Sequence, residues 1–474
     1  MGKLLVLGSG KGAALRGRKI FAFALFFFHG LWMALIREMG RSAAGIFALL
    51  FIAPQIWPAL AAPPDALEEY VRKPDPTYRW EEVDQKRTDG FMIHRISLTS
   101  QTWRENLWKH DLVVVRPEKV RNTGSAFLFI TGDGDGRKQV DLLKAVAERS
   151  GAVCAVITRI PNQPLYEGRK EDALIAYTFD QYLRTGDRTW PVLFPMVKSA
   201  VRAMDAVQAL AQTNWQQKIE TFAVSGASKR GWTTWLTAAM DRRVNAIAPM
   251  VIDMLNMKVQ AQWAEKVYGK QSEQIKDYTD ANLIGKMDDP RMVELRQWVD
   301  PYSYRQRYTM PKLLLLGSND PYWTVDSLRH YWGDLPEPKL VYQTPNAGHD
   351  LGGGKDATQT LAAWFQSIAD HQPLPHLDWT FKYETEEAIL TIQCDRPMQK
   401  LTLWTASSED RDFRNEKWEA KTIPLAKPGK KGEARIHKNE MGYQAFLLEG
   451  ELESSTGHAF KLSTEARVIP DEVK

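Results

Sequence analysis

Uninterrupted apolar runs alternate with stretches of helical spacing over most of the chain. Phe127-Leu128-Phe129-Ile130 and Leu313-Leu314-Leu315-Leu316 contain no polar residue, the pattern of strands covered on both faces in a parallel sheet. β-rich runs at 92–99, 111–116, 126–131, 152–159, 219–225, 246–252, 312–317 and 339–344 predict a mostly parallel sheet of eight strands layered with helices. Between two of them, Val197, Ala200, Val201, Met204, Val207 and Ala211 recur at helical spacing, so 197–216 is predicted to be an amphipathic helix lying on the sheet.

Two segments depart from this pattern. The stretch 254–310 is helix-prone and rich in aromatics such as Trp263, Tyr268, Tyr278 and Trp298, and it is too long for an ordinary connection. It is predicted to be a helical cap inserted into an α/β domain that spans 62–372. Past Pro373 and Pro375 the texture changes to short alternating runs, such as 388–393, 400–405 and 443–448, separated by turn residues. Residues 373–474 are therefore predicted to form a small β-sandwich.

Composition adds a compartment. With 44% hydrophobic and 25% charged residues in 474, the chain has the make-up of a folded globular protein. Its basic excess sits at the front: Lys3, Lys11, Arg16, Arg18, Lys19, Arg37 and Arg41 face only Glu38 in the first 61 residues, and the remainder is slightly acidic. That excludes a nucleic-acid binder, whose basic excess lies on the folded part. Residues 45–60 are apolar, follow Arg41 and end in Ala59-Leu60-Ala61-Ala62, the layout of an export signal cleaved after Ala61. A secreted or periplasmic mature protein, with no stable membrane insertion, is expected. An earlier apolar run at 20–36 makes the leader unusually long and is read as a start assigned too early. The two cysteines, Cys154 and Cys394, are expected as separate buried thiols.

The strongest chemical signal is Ser225-Gly226-Ala227-Ser228-Lys229-Arg230-Gly231, which runs from an apolar strand into a helix. A serine on a tight strand-to-helix turn is held exposed, with small neighbours letting the helix approach the strand. The spacing here is G-x-S-x-x-G, one residue longer than the usual form. Lys229 and Arg230 oppose the helix macrodipole, so either they face an acidic substrate group or oxyanion, or carboxylates of the protein answer them. Among nine histidines, His349 stands out on a glycine-flanked loop just past the last predicted strand, at the sheet edge where open α/β sheets bind ligands. Asp320 follows the preceding strand and is placed to orient an imidazole; Asp253 is the competing acid.

Ser228, Asp320 and His349 thus occur in the chain order of the α/β-hydrolase triad. The oxyanion hole is expected from the backbone N–H of Lys229 and one in the Gly132-Asp133 loop, whose rival reading is a calcium turn short of carboxylates. Arg230, Tyr322 and Trp323 are the expected substrate-binding residues. No cofactor and no metal are expected.

Longer stretches carry a family likeness. Tyr70 to Trp80, Leu98 to Trp103, Glu171 to Asp180, Pro195 to Asp205, Ser225 to Trp232, Asp300 to Tyr304 and Pro345 to His349 resemble the PhoPQ-activated pathogenicity-related proteins, and the likeness runs from about Tyr70 to the C-terminus. It implies an exported α/β-hydrolase followed by a β-sandwich, with a role in envelope stress or antimicrobial-peptide resistance. The serine turn also looks like that of glucuronoyl esterases, where a basic residue follows the serine. In place of the expected Asn-Asp-Glu-Phe-Phe, this chain has Asn319-Asp320-Pro321-Tyr322-Trp323, which keeps the acid and alters the wall beside it. The expected function is a serine hydrolase acting on a peptide, amide or small ester. A binding protein on a hydrolase scaffold and a carbohydrate esterase are the alternatives.

Overall fold

The computed structural model describes residues 65–473; the expected leader lies outside them. A central mixed sheet of nine strands is built from β1 (Arg79–Thr88), β2 (Phe91–Trp103), β3 (Asn106–Pro117), β4 (Ser125–Ile130), β5 (Val153–Ile157), β6 (Thr221–Ala227), β7 (Val244–Met250), β8 (Lys312–Gly317) and β9 (Lys339–Thr344). Their spatial order is β1-β2-β3-β5-β4-β6-β7-β8-β9. The first three form an antiparallel meander joined to β5, and β5 through β9 run parallel. This is the α/β-hydrolase sheet with one strand more than the sequence predicts.

The additional strand is β1. Its residues are almost all exposed, so no apolar alternation marks it; pairing to β2 along its length holds it. The hairpin turn Asp89-Gly90 has positive φ at both positions (50° and 79°), the geometry favoured between twisted antiparallel strands.

The all-apolar strands are explained by two cores. Ala126, Leu128 and Ile130 of β4 enter one with the helices Leu193–Trp215 and Lys229–Met240. Phe127 and Phe129 enter the other with the helices Val140–Ser150 and Lys355–Ala369. A strand with successive side chains in two cores has no polar face to show. Cys154 and Cys394 are buried free thiols.

The C-terminal strands make two antiparallel sheets, one of Leu377–Tyr383, Glu387–Cys394 and Lys431–His437, the other built around Lys400–Ser408 paired to Tyr443–Glu453. Leu390, Ile392, Leu401, Phe446 and Leu448 share the second core with the sheet and the helix Lys355–Ala369. Between β7 and β8 lie the helices Met257–Tyr268, Lys276–Asp280 and Pro290–Val299. Buried Asp300 ties the start of this insertion to its end, accepting from the backbone N–H groups of Asn256 (3.2 Å), Met257 (2.8 Å) and Tyr302 (2.9 Å).

Asp300→Ala leaves those three donors without an acceptor, and about 2–4 kcal/mol of stability is expected to be lost. Urea denaturation checks this, and faster proteolysis within 256–300 is the expected companion result.

Candidate active site

The chain leaves β6 and turns into the helix Lys229–Met240 through a single residue, Ser228, at φ 58° and ψ −125°. A non-glycine residue there is strained, and neighbours must over-determine it. Ser228 donates its backbone N–H to Met250 O (2.9 Å), and its carbonyl accepts from Trp232 (3.0 Å). The two glycines are steric necessities. A Cβ on Gly226 would lie 2.7 Å from the Arg230 carbonyl oxygen, and one on Gly231 would lie 2.9 Å from the oxygens of Gly226 and Met250. The side chain of Ser228 is partly exposed and lines a cavity under the inserted helices.

The two cations after the serine are answered by protein carboxylates. Arg230 makes a bidentate pair with Glu171 (2.7 and 2.6 Å) and donates to Ile160 O (2.5 Å). Lys229 pairs with Asp172 (2.8 Å) and reaches Glu171 at 3.6 Å. Burial works against the Lys229 charge, but Asp172, Tyr322 and Glu171 outweigh it and raise its pKa. Both acids begin the helix Glu171–Thr185, where negative charge is favourable. Arg230, expected on the substrate side, is a structural tie, because its guanidinium is spent on Glu171 and Ile160. Gly132 lies beneath it: a Cβ there would sit 2.3 Å from the guanidinium. Asp133 faces Gln163 (3.2 Å) and Lys170 (3.5 Å) and does not line the Ser228 cavity. Among the described residues, no cluster of three or more His, Cys, Asp or Glu side chains is arranged to hold a metal.

The other half of the site comes from the ends of β8 and β9. His349 Nδ1 bonds Asp320 Oδ2 at 2.8 Å, and Asp320, buried, also accepts from the backbone N–H of Tyr322 (3.0 Å). The loops touch closely: a Cβ on Gly317 would lie 2.4 Å from the carbonyl oxygens of Ala347 and Gly348. Tyr322 connects the halves, its ring 4.4 Å from the imidazole and on the wall of the cavity that Ser228 and Trp323 also line. His349 Nε2 is enclosed without a hydrogen-bond partner, and no hydrogen bond joins it to Ser228. Such bonds are often long in unliganded enzymes and tighten with substrate.

A clamp that the sequence does not announce holds both loops. Asn319, next to Asp320, donates to the carbonyls of Phe413 (3.0 Å) and Glu416 (2.7 Å). Asn346, three residues before His349, exchanges two bonds with the Trp418 backbone (2.9 and 2.8 Å). The segment 413–418 of the C-terminal region therefore anchors the loops that carry Asp320 and His349.

The comparisons with known proteins bear on this arrangement. The description "PhoPQ-activated pathogenicity-related protein" matches residues 67–414. The chain belongs to this family. The match spans the serine turn, Asp320 and the His349 loop, and ends inside the clamp. A relative in Dictyostelium discoideum, autocrine proliferation repressor protein A, is 32% identical over 450 residues, covering 85% of this chain and 90% of that protein. Among solved structures, an acetyl xylan esterase from a Paenibacillus species is similar over 63% of this chain and 90% of its own (14% identity, TM-score 0.46). A glucuronoyl esterase from Solibacter usitatus is similar over 64% and 90% (12% identity, TM-score 0.37). In this PhoPQ-related chain, the imidazole bonds Asp320, and the competing acid Asp253 is buried and accepts from Tyr331 Oη at 2.7 Å.

Burial, with the nearby charges of Asp320, Glu465 and Asp326, pushes the Asp253 carboxyl up to about 8 despite that bond. The folded protein keeps a proton that the unfolded chain releases near 3.8. This group therefore favours folding below that value, and its contribution is lost as pH rises through about 8. Asp253→Asn is expected to flatten the fall of unfolding free energy, measured by urea denaturation between about pH 5 and pH 8, by up to about 1.4 kcal/mol per pH unit. Equal slopes in the two proteins would refute the assignment.

Proposed function

We propose that this protein is a serine hydrolase that cleaves a peptide, amide or ester bond with Ser228 as nucleophile. The observation that carries the reading is the His349–Asp320 bond of 2.8 Å beside a serine in a strained strand-to-helix turn. In the proposed reaction, Ser228 Oγ attacks the substrate carbonyl carbon and passes its proton to His349 Nε2. Asp320 holds the Nδ1 proton and stabilises the imidazolium. The carbonyl oxygen, now negative, is met by the backbone N–H of Lys229, the first of its helix and free of an intrahelical acceptor. The Gly132-Asp133 loop, expected to give a second donor, does not line the cavity of Ser228. His349 then protonates the leaving group, and water, deprotonated by the same imidazole, releases the acyl group from Ser228.

Family membership and the sheet topology support this reading, and the first 61 residues support export to a secreted or periplasmic location. The carbohydrate-esterase alternative keeps Trp232 and Trp323 on the cavity wall as its support. The scaffold-only binding protein keeps one observation in its favour, the missing bond between Ser228 and His349.

Labelling by a fluorophosphonate probe separates the two. Wild type is expected to label and Ser228→Ala to lose all signal with its melting temperature unchanged; an unlabelled wild type supports the binding protein. Asp320→Asn is expected to lower turnover on the order of 10⁴-fold, the cost of mis-set imidazole tautomers, with labelling slowed in parallel.

A further inference from the structure

The cavity beside Ser228 has a definite chemistry. Its floor is Ile252 and Met254 at the end of β7, and Met257, Ala261 and Ala264 line one side. These last three are spaced i, i+4, i+7 on the helix Met257–Tyr268, so one continuous helix stripe faces the cavity. The space is about 850 Å³ with its mouth. The helix stripe forms one wall of this slot.

Polar side chains of its lining are bonded to one another or to the backbone. Lys229 Nζ pairs with Asp172 at 2.8 Å, and Tyr278 Oη donates to the other oxygen of that carboxylate at 2.9 Å. The Gln260 amide nitrogen is bonded to Ser327 O (3.0 Å). With cation and anion cancelling, the slot offers no net charge to an ionised substrate group, and burying one there would be costly. A neutral apolar chain loses nothing on entry and gains by leaving water.

We infer that this slot is the acyl pocket of the enzyme and takes a linear, uncharged aliphatic acyl group of medium length. The inference rests on the serine-hydrolase reading, because Ser228 is what makes the slot a place of reaction. The stripe from Met257 to Ala264 spans about 10 Å of helix axis, room for a chain of roughly eight carbons.

The test is a series of p-nitrophenyl esters, from acetyl to dodecanoyl, with fluorophosphonate labelling as the check that each protein is folded and competent. The value of kcat/KM is expected to rise about 2- to 4-fold for each added methylene up to octanoyl and to rise no further beyond it. Ala264→Phe, which fills the slot, is expected to lower the octanoyl-to-acetyl ratio about tenfold; Met257→Ala, which opens it, is expected to move the preference to longer chains. A profile highest at acetyl, unchanged by both substitutions while Ser228 still labels, overturns the slot and leaves the nucleophile standing. Absence of Ser228 labelling overturns both.

Discussion

The backbone of Ser228 is the constraint on which the rest of the site depends. Holding a residue with a Cβ at positive φ costs about 1–3 kcal/mol, and that cost is met by packing that leaves the chain no alternative. Gly226 and Gly231 let the helix Lys229–Met240 press against β6 and β7. Arg230 then reaches across the sheet edge to Ile160 and Glu171, joining the serine turn to the loop after β5 and to a neighbouring helix. The longer G-x-S-x-x-G spacing fits this use: the position commonly held by glycine carries the guanidinium, and Gly132, past the end of the neighbouring strand β4, supplies the missing space.

The second half of the site is built by different means. Asp320 and His349 stand on loops after adjacent parallel strands, where the sheet alone fixes only their starting points. Gly317 allows the loops to interlock, and Asn319 and Asn346 anchor each to the 413–418 segment. The C-terminal region thus contributes to the site without placing a side chain in it. Its strands also share a hydrophobic core with the sheet, so it is continuous with the α/β layer in packing.

What was legible in the sequence was what is local. Unbroken apolar runs marked β4 and β8 because each is buried on both faces, and the position of a polar residue just past a strand end marked Ser228, Asp320 and His349. β1 was missed because its side chains stay in water; the only cue was Asp89-Gly90, a hairpin turn without an apolar strand beside it. The role of Arg230 was open because the sequence shows a cation at a helix start and says nothing of the carboxylates that meet it from Glu171 and Asp172. The clamp left no trace, since an asparagine bonded to a backbone carbonyl 97 residues away imposes no pattern on its neighbours.

The clamp also sets an order in time. The side-chain amides of Asn319 and Asn346 bond backbone groups in residues 413–418, which are translated after both loops. A ribosome that has already delivered Ser228, Asp320 and His349 has not yet delivered the groups that seat the last two. A chain cut before residue 413 therefore lacks the backbone groups that anchor the Asp320 and His349 loops.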